Sequence, residues 1–201
     1  MGGIWFTSDT HFRHKMVAGL RGFETPEAHD YEIVRRWNAA VRPEDAVWHL
    51  GDVGMGKTDD AFWACVDALN GTKHLITGNH DAAWPGHRDS HKRQREWLDH
   101  FASVQALARR RIGEHHVLLS HFPYQGDHTE VDRCGQYRLR DLGMWLLHGH
   151  THSKERRGPF HPGIAMLGAE PQPVMRQLHV GLDAWDLTPV PLHVVEREIA
   201  A

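Results

Sequence analysis

Short apolar runs recur along the chain at 4–7, 46–50, 74–77, 117–120 and 145–148. Their length and their valine, isoleucine and aromatic content predict strands rather than helices. Two later runs, 177–182 and 191–195, predict strands as well. Between the early runs the apolar positions fall at helical spacing. Ile33, Val34, Trp37 and Val41 predict a helix over 26–41, and Phe62, Val66 and Leu69 predict another over 59–69. A third, amphipathic and basic on its outer side, is predicted over 90–101. Strand, helix, strand, helix, strand is the opening of an α/β architecture with parallel pairing. After Ala102 the character changes: 104–112, a Gly113–Glu114 turn and 117–120 predict a hairpin. The proline-rich stretch 153–174 predicts an irregular loop beside the site. Neither an internal repeat nor a linker divides the sequence, so a single domain over 1–201 is expected.

Composition narrows the function classes. With 201 residues, 40% hydrophobic and 24% charged, the chain suits one well-buried core. A formal net charge of -3 argues against a general nucleic-acid or membrane-surface binder. No run approaches the ~20 apolar residues of a membrane helix. The strand-like start at Gly3 leaves no room for a secretory signal, and a cytoplasmic protein is expected. Cys65 and Cys134 form no ligand spacing, and Cys65 reads as a small buried hydrophobe. The departure from ordinary usage is histidine: 19 of them against 3 tyrosines. Imidazole is the commonest ligand for transition metals and the usual proton carrier near neutral pH, so position must decide its role.

Five apolar runs each end in residues of metal-binding type. The first leads into Ser8-Asp9-Thr10-His11, the second into Gly51-Asp52, and the third into Gly78-Asn79-His80-Asp81. The fourth leads into Ser120-His121 and the fifth into Gly149-His150-Thr151-His152. Where crossover helices link parallel strands, strand C-termini gather at one rim, where ligands bind. On extended backbone, side chains at i and i+2 point the same way, so Asp9 with His11, and His150 with His152, are expected to share a centre. Carboxylate, imidazole and amide oxygen together suit Mn, Fe or Zn better than Mg. Two such ions roughly 3.5–4 Å apart clamp both the attacking and the leaving oxygen of a phosphoryl transfer.

The ordered series Asp9-x-His11, Gly51-Asp52, Gly78-Asn79-His80-Asp81, His121 and Gly149-His150-x-His152 resembles the calcineurin-like metallophosphoesterase family. The forms Ser8-Asp9-Thr10-His11-Phe12, Ser120-His121-Phe122-Pro123 and Val180-Gly181-Leu182-Asp183-Ala184-Trp185 are similar to those of its small bacterial and phage members. The resemblance implies an α/β/β/α sandwich, two mixed sheets packed face to face with helices outside. It implies that Asp9, His11, Asp52 and His152 bind one metal, and that Asp52 bridges to a second completed by Asn79, His121 and His150. His80 would be the proton donor to the leaving group. The activity implied is hydrolysis of phosphate mono- or diesters by attack of a metal-bridging hydroxide. The ions expected are Mn first, with Fe or Zn as alternatives. A nucleotide is one candidate substrate.

Plainer readings hold for other residues. His49, His74, His115, His116, His179 and His193 read as structural or surface groups. His148 shares strand parity with His150 and reads as packing or support. Arg13 and His14, directly after the first ligand pair, are candidate substrate contacts. Arg88, Lys92, Arg93 and Arg95 read as a solvated helix face, with a nucleotide contact as the alternative. Gly51–Thr58 formally matches the phosphate-binding P-loop pattern. Asp52 would place a carboxylate within a loop whose amides cradle phosphates, and the reading leaves the other four blocks unexplained. A metal-dependent binding domain without catalysis is the remaining alternative, against which the intact His80 argues.

Overall fold

The computed structural model describes residues 2–55, 58–127, 129, 131–158 and 175–200. Alternating side chains of its first strands divide between two apolar layers, as the period of two along extended backbone requires. In β1 (Ile4–Thr7), β2 (Ala46–His49) and β3 (Thr72–Ile76), Trp5, Val47 and Leu75 face one core. Phe6, Trp48 and Ile76 face the other. With β4 (Ser103–Gln105) these strands pair in parallel, and β9 (Val190–Pro191) adds antiparallel to β1. The resulting five-stranded sheet has the order β4-β3-β2-β1-β9.

A second sheet, ordered β5-β6-β7-β8, opens with the hairpin of β5 (Ala108–Ile112) and β6 (His115–Leu119). It continues in parallel through β7 (Trp145–His148) and β8 (Gln177–His179). Val117, Leu119, Leu147 and Leu178 meet Phe6, Trp48 and Ile76 to form the core between the sheets. Both sheets are therefore mixed, and helices flank them, as the α/β reading required.

On the outer face of the first sheet lie α2 (Pro26–Ala40), α3 (Asp60–Asp67) and α4 (Ser90–Leu98). They bury Ile33, Trp37, Phe62, Val66 and Trp97 against Val47 and Leu75. The Thr25 side chain accepts from the Ala28 N–H and a proline opens α2, two start signals that fix its entry. Asp59 caps α3 in the same way, accepting from the Phe62 N–H at 2.9 Å.

Three local differences from the sequence reading have clear causes. A six-residue helix, α1 (Lys15–Leu20), is too short to carry a periodic signal. The strand expected over 104–112 is divided, because β4 pairs with β3 while β5 pairs with β6. The strand expected over 191–195 is corrected: only Val190–Pro191 is extended, and α5 (Leu192–Ala200) follows. Val195 and Ile199 are buried four residues apart, and that helical spacing outweighs the β-branched pair Val194–Val195. Of the loop expected over 153–174, residues 159–174 lie outside the described residues. Among the described residues no helix is long and apolar enough to cross a membrane.

Candidate metal centre

All eight strongly marked residues lie just beyond strand ends. Asp9 and His11 follow β1, Asp52 follows β2, and Asn79 and His80 follow β3. His121 follows β6, and His150 and His152 follow β7. The backbone there is not extended. Asp9, His11, Asp52, His150 and His152 have φ of 59°, 49°, 56°, 70° and 50°, and Arg13 has 65°. Left-handed conformations of non-glycine residues cost of order 1–3 kcal/mol and persist only where the surroundings over-determine them. The i, i+2 pairs do share a centre, but through paired left-handed residues rather than extended strand.

Several hydrogen bonds hold these conformations. The N–H groups of Asp9, His11 and Phe12 donate to the carbonyls of Gly51, Asp52 and Val53, zipping the first two loops together. Asp81, buried, accepts from the N–H groups of Asp52, Val53 and Gly78 at 2.8–3.0 Å. Burial first, and then the Asp52 carboxylate, push the Asp81 pKa up to about 7. Gly78 and Gly149 lie so close to Asp52 and Asp9 that a Cβ at either position would collide with the carboxylate. His49 completes the support: its Nδ1 accepts from the Gly51 N–H and its Nε2 meets Thr10 Oγ1 at 3.0 Å. Its sequence assignment as structural agrees with those contacts.

Two clusters of ligand atoms result, Asp9–His11–His152 and Asp52–His121–His150. In the first, His11 Nε2 lies 3.1 Å from His152 Nε2 and 3.9 Å from Asp9 Oδ1. In the second, His121 Nε2 lies 3.2 Å from His150 Nδ1. Asp52 Oδ2 stands between them, 3.7 Å from His11 Nε2 and 3.4 Å from His121 Nε2. Asn79 Oδ1 is buried and accepts from no described residue. His80 turns its Nε2 to 3.9 Å from Asp52 Oδ2, and its ring is one-third exposed, unlike the buried Asp9, His11, Asp52, His121 and His150. His14 packs its ring 5.3 Å from that of His11, whereas Arg13 turns aside to pair with Glu27 at 3.1 Å. Gly56 and Lys57 of the P-loop pattern lie outside the described residues, while Asp52 within it faces the histidines.

The electrostatics match a cation site. Burial raises the carboxyl pKa of Asp52, but His121 and His11 beside it more than offset that and hold it well below the usual range. Burial likewise lowers His121, yet Asp52 pushes it up to about 9. His11 lies well below its ordinary value and His150 at about 4, burial being the main cause for both. Buried carboxylates facing imidazole nitrogens, with an unpartnered amide oxygen, fit divalent transition ions by donor type.

Two carboxylates behind the ligands are absent from the set predicted by sequence. Asp183 accepts from His152 Nδ1 at 3.1 Å and from Arg21 Nε and Nη2 at 2.9 and 2.8 Å. Arg21 is itself buried and also donates to the Asp9 carbonyl at 2.7 Å. Asp127 lies 3.0 Å from His150 Nε2 and pairs with Arg133 and Arg138, each at 3.0 Å. Each cluster is thus backed by a carboxylate that fixes one imidazole and an arginine that holds the carboxylate, the arrangement that orients metal-binding histidines. Asp183 sits in the 180–185 block quoted above, so a signal for it existed; nothing in the sequence marked Asp127.

A rim of strand ends carrying carboxylates and imidazoles on two face-packed sheets is a candidate metal-binding centre. The calcineurin-like phosphoesterase superfamily domain matches residues 3–161, and the chain belongs to that family. It is 43% identical over 198 residues to the Gene 66 protein of Mycobacterium phage D29, covering 94% of this chain and 93% of that one. Identity is 34% over 202 residues to an uncharacterized protein of Methanocaldococcus jannaschii, across 99% of this chain and 92% of that one. A solved protein of unknown function from Aquifex aeolicus shares the fold with a TM-score of 0.68 at 21% identity, covering 99% of this chain and 100% of that one.

Proposed function

We propose that the protein is a phosphoric ester hydrolase that works with two divalent cations, Mn first among them. The observation that carries this reading is the position of Asp52 Oδ2 between His11 Nε2 and His121 Nε2, joining two three-residue clusters. Asp9, His11, Asp52 and His152 would hold one ion, and Asp52, Asn79, His121 and His150 the other. Bound cations supply the Lewis acidity that makes a water nucleophilic near neutral pH and offsets charge on the phosphoryl oxygens.

The chain's own groups do the rest. Asp127 and Asp183 keep His150 and His152 in fixed tautomer and orientation. His80 sits where a leaving oxygen departs, within reach of the ligand groups but open to solvent. As the bond from phosphorus to that oxygen breaks, His80 Nε2 gives it a proton, while water supplies the new oxygen on phosphorus. His14, whose ring packs beside that of His11, is a candidate contact for the phosphoryl group, whereas Arg13 is directed at Glu27. The chain would act as one domain, with mono- and diesters both open as substrates.

The test is hydrolysis of a nitrophenyl phosphodiester and monoester by the Mn-loaded protein, with Fe and Zn as comparisons. His80→Ala should cut turnover of an alkyl ester by roughly 10²–10⁴-fold with metal content unchanged. Full activity of that variant on an alkyl ester would remove His80 from the acid role. No hydrolysis by the metal-loaded wild type would favour a binding domain without catalysis.

A further inference from the structure

Beside His80 the surface opens into a groove of about 530 Å³. That lies within the range of roughly 300–1,000 Å³ typical of small-molecule sites. Thr58, Asp59, Ala82, His87, Asp89 and Arg93 line it, so it runs away from the ligand clusters between the start of α3 and the start of α4.

Its chemistry is mixed in sign. Arg93 is set in place, its Nη2 donating to Thr58 Oγ1 at 2.6 Å and pairing with Glu96 at 2.7 Å. Its side chain is nevertheless 41% exposed, and its Nε bonds to none of the described residues. Two carboxylates lie beside it, Asp59 next to Thr58 at the start of α3 and Asp89 one turn before Arg93 at the start of α4. One oxygen of Asp59 caps α3, and Asp89 pairs with the exposed Lys92 at 2.7 Å. Donors and acceptors are therefore both on offer, and the fixed guanidinium is already charge-balanced by Glu96.

Each kind of occupant meets this lining differently. An alkyl or acyl chain would strip water from Arg93, Asp59 and Asp89 and return no hydrogen bonds, which is costly. A second phosphate would meet the Asp59 carboxylate, while Arg93 is already paired with Glu96 and Lys92 with Asp89. A neutral unit carrying hydroxyl or amide groups satisfies both signs at once.

We propose that this groove receives the leaving group of the ester, and that the leaving group is a neutral, hydroxyl- or amide-bearing unit of sugar or nucleoside size. This rests on the phosphoesterase reading and names the substrate class for it. The leaving oxygen lies at His80, and the remainder of the alcohol lies along Asp89 and Arg93.

The experiment compares diesters that share one non-leaving group and differ in the leaving alcohol. The alcohols are ethanol, a hexose, a nucleoside, and the same nucleoside bearing a second phosphate. Each is run beside a nitrophenyl ester with wild type, Asp89→Asn, Arg93→Ala and the groove-filling Ala82→Phe. The hexose or the nucleoside ester should be the best of the four alkyl-type esters for wild type, and whichever wins identifies the source. On that ester each variant should lose kcat/KM by roughly 10-fold or more beyond its loss on the nitrophenyl ester. Two results overturn the inference: a wild-type preference for the ethyl or phosphate-bearing alcohol, or variants that slow every ester equally. Failure of wild type on every ester, nitrophenyl included, instead overturns the phosphoesterase reading and this inference with it.

Discussion

Asp183→Asn tests the support behind the first cluster. The substitution keeps shape and removes one charge from a buried group that accepts three hydrogen bonds, from His152 Nδ1 and from Nε and Nη2 of Arg21. Burial would raise the carboxyl pKa, yet those bonds hold it well below the usual range. An amide there presents an NH₂ to donors on at least one side and leaves the Arg21 guanidinium, 4% exposed, without its counter-charge. Breaking a buried pair in this way costs about 3–5 kcal/mol, a large part of the roughly 5–15 kcal/mol a domain has in hand. Arg21 also holds the Asp9 carbonyl, so the loss should reach the ligand loop as well as the fold. Losing the partner of a metal-binding imidazole typically weakens affinity by roughly 10–100-fold. Urea unfolding of the metal-free variant reads the first effect, and calorimetric Mn titration reads the second. The two ions should separate in that titration: Asp183→Asn should weaken one binding step, and Asp127→Asn the other. If both variants weaken the same step equally, or if Asp183→Asn leaves both steps at wild-type affinity, the assignment of one carboxylate to each cluster is wrong.

Asp52→Asn should abolish binding of two ions per chain together with activity, checked by metal analysis after desalting; two retained ions would count against Asp52 as the shared ligand. Gly78→Ala should act in the same direction by displacing Asp52, because the added methyl collides with its carboxylate, and its metal content should fall while the fold, read by circular dichroism, persists. The His49 pKa is lowered from 6.5 to about 4, chiefly by burial, so its contribution to stability is complete above pH 6.5 and is lost as pH falls toward 4. Since the unfolded chain takes up the proton first, metal-free protein should lose roughly 2 kcal/mol from this residue between pH 7 and pH 5. Urea midpoints at those two pH values should show a shallower drop for His49→Gln, and an equally steep drop would refute it.

The parts of this molecule that were legible in its sequence share one property: their meaning is local. A strand ending in Asp-x-His, apolar residues at helical spacing, or a Gly-Glu turn between two runs is read within a few residues, and β1, α2 and the β5–β6 turn stand where those signals put them. The supports of the centre are not local. Arg21 lies 162 residues from Asp183 and Asp81 lies 29 from Asp52, so no spacing rule joins either pair. The left-handed backbone at Asp9, His11, Asp52, His150 and His152 was invisible for a deeper reason. At a turn one would expect glycine to supply positive φ, and here carboxylate and imidazole residues occupy it instead. That choice sacrifices local stability for side chains that glycine does not have, and it survives only because Asp81, Arg21 and the Gly51–Val53 carbonyls bind the loops from behind. Strain and support therefore belong together, and a substitution in the support should appear first as a defect at the centre rather than in the sheets.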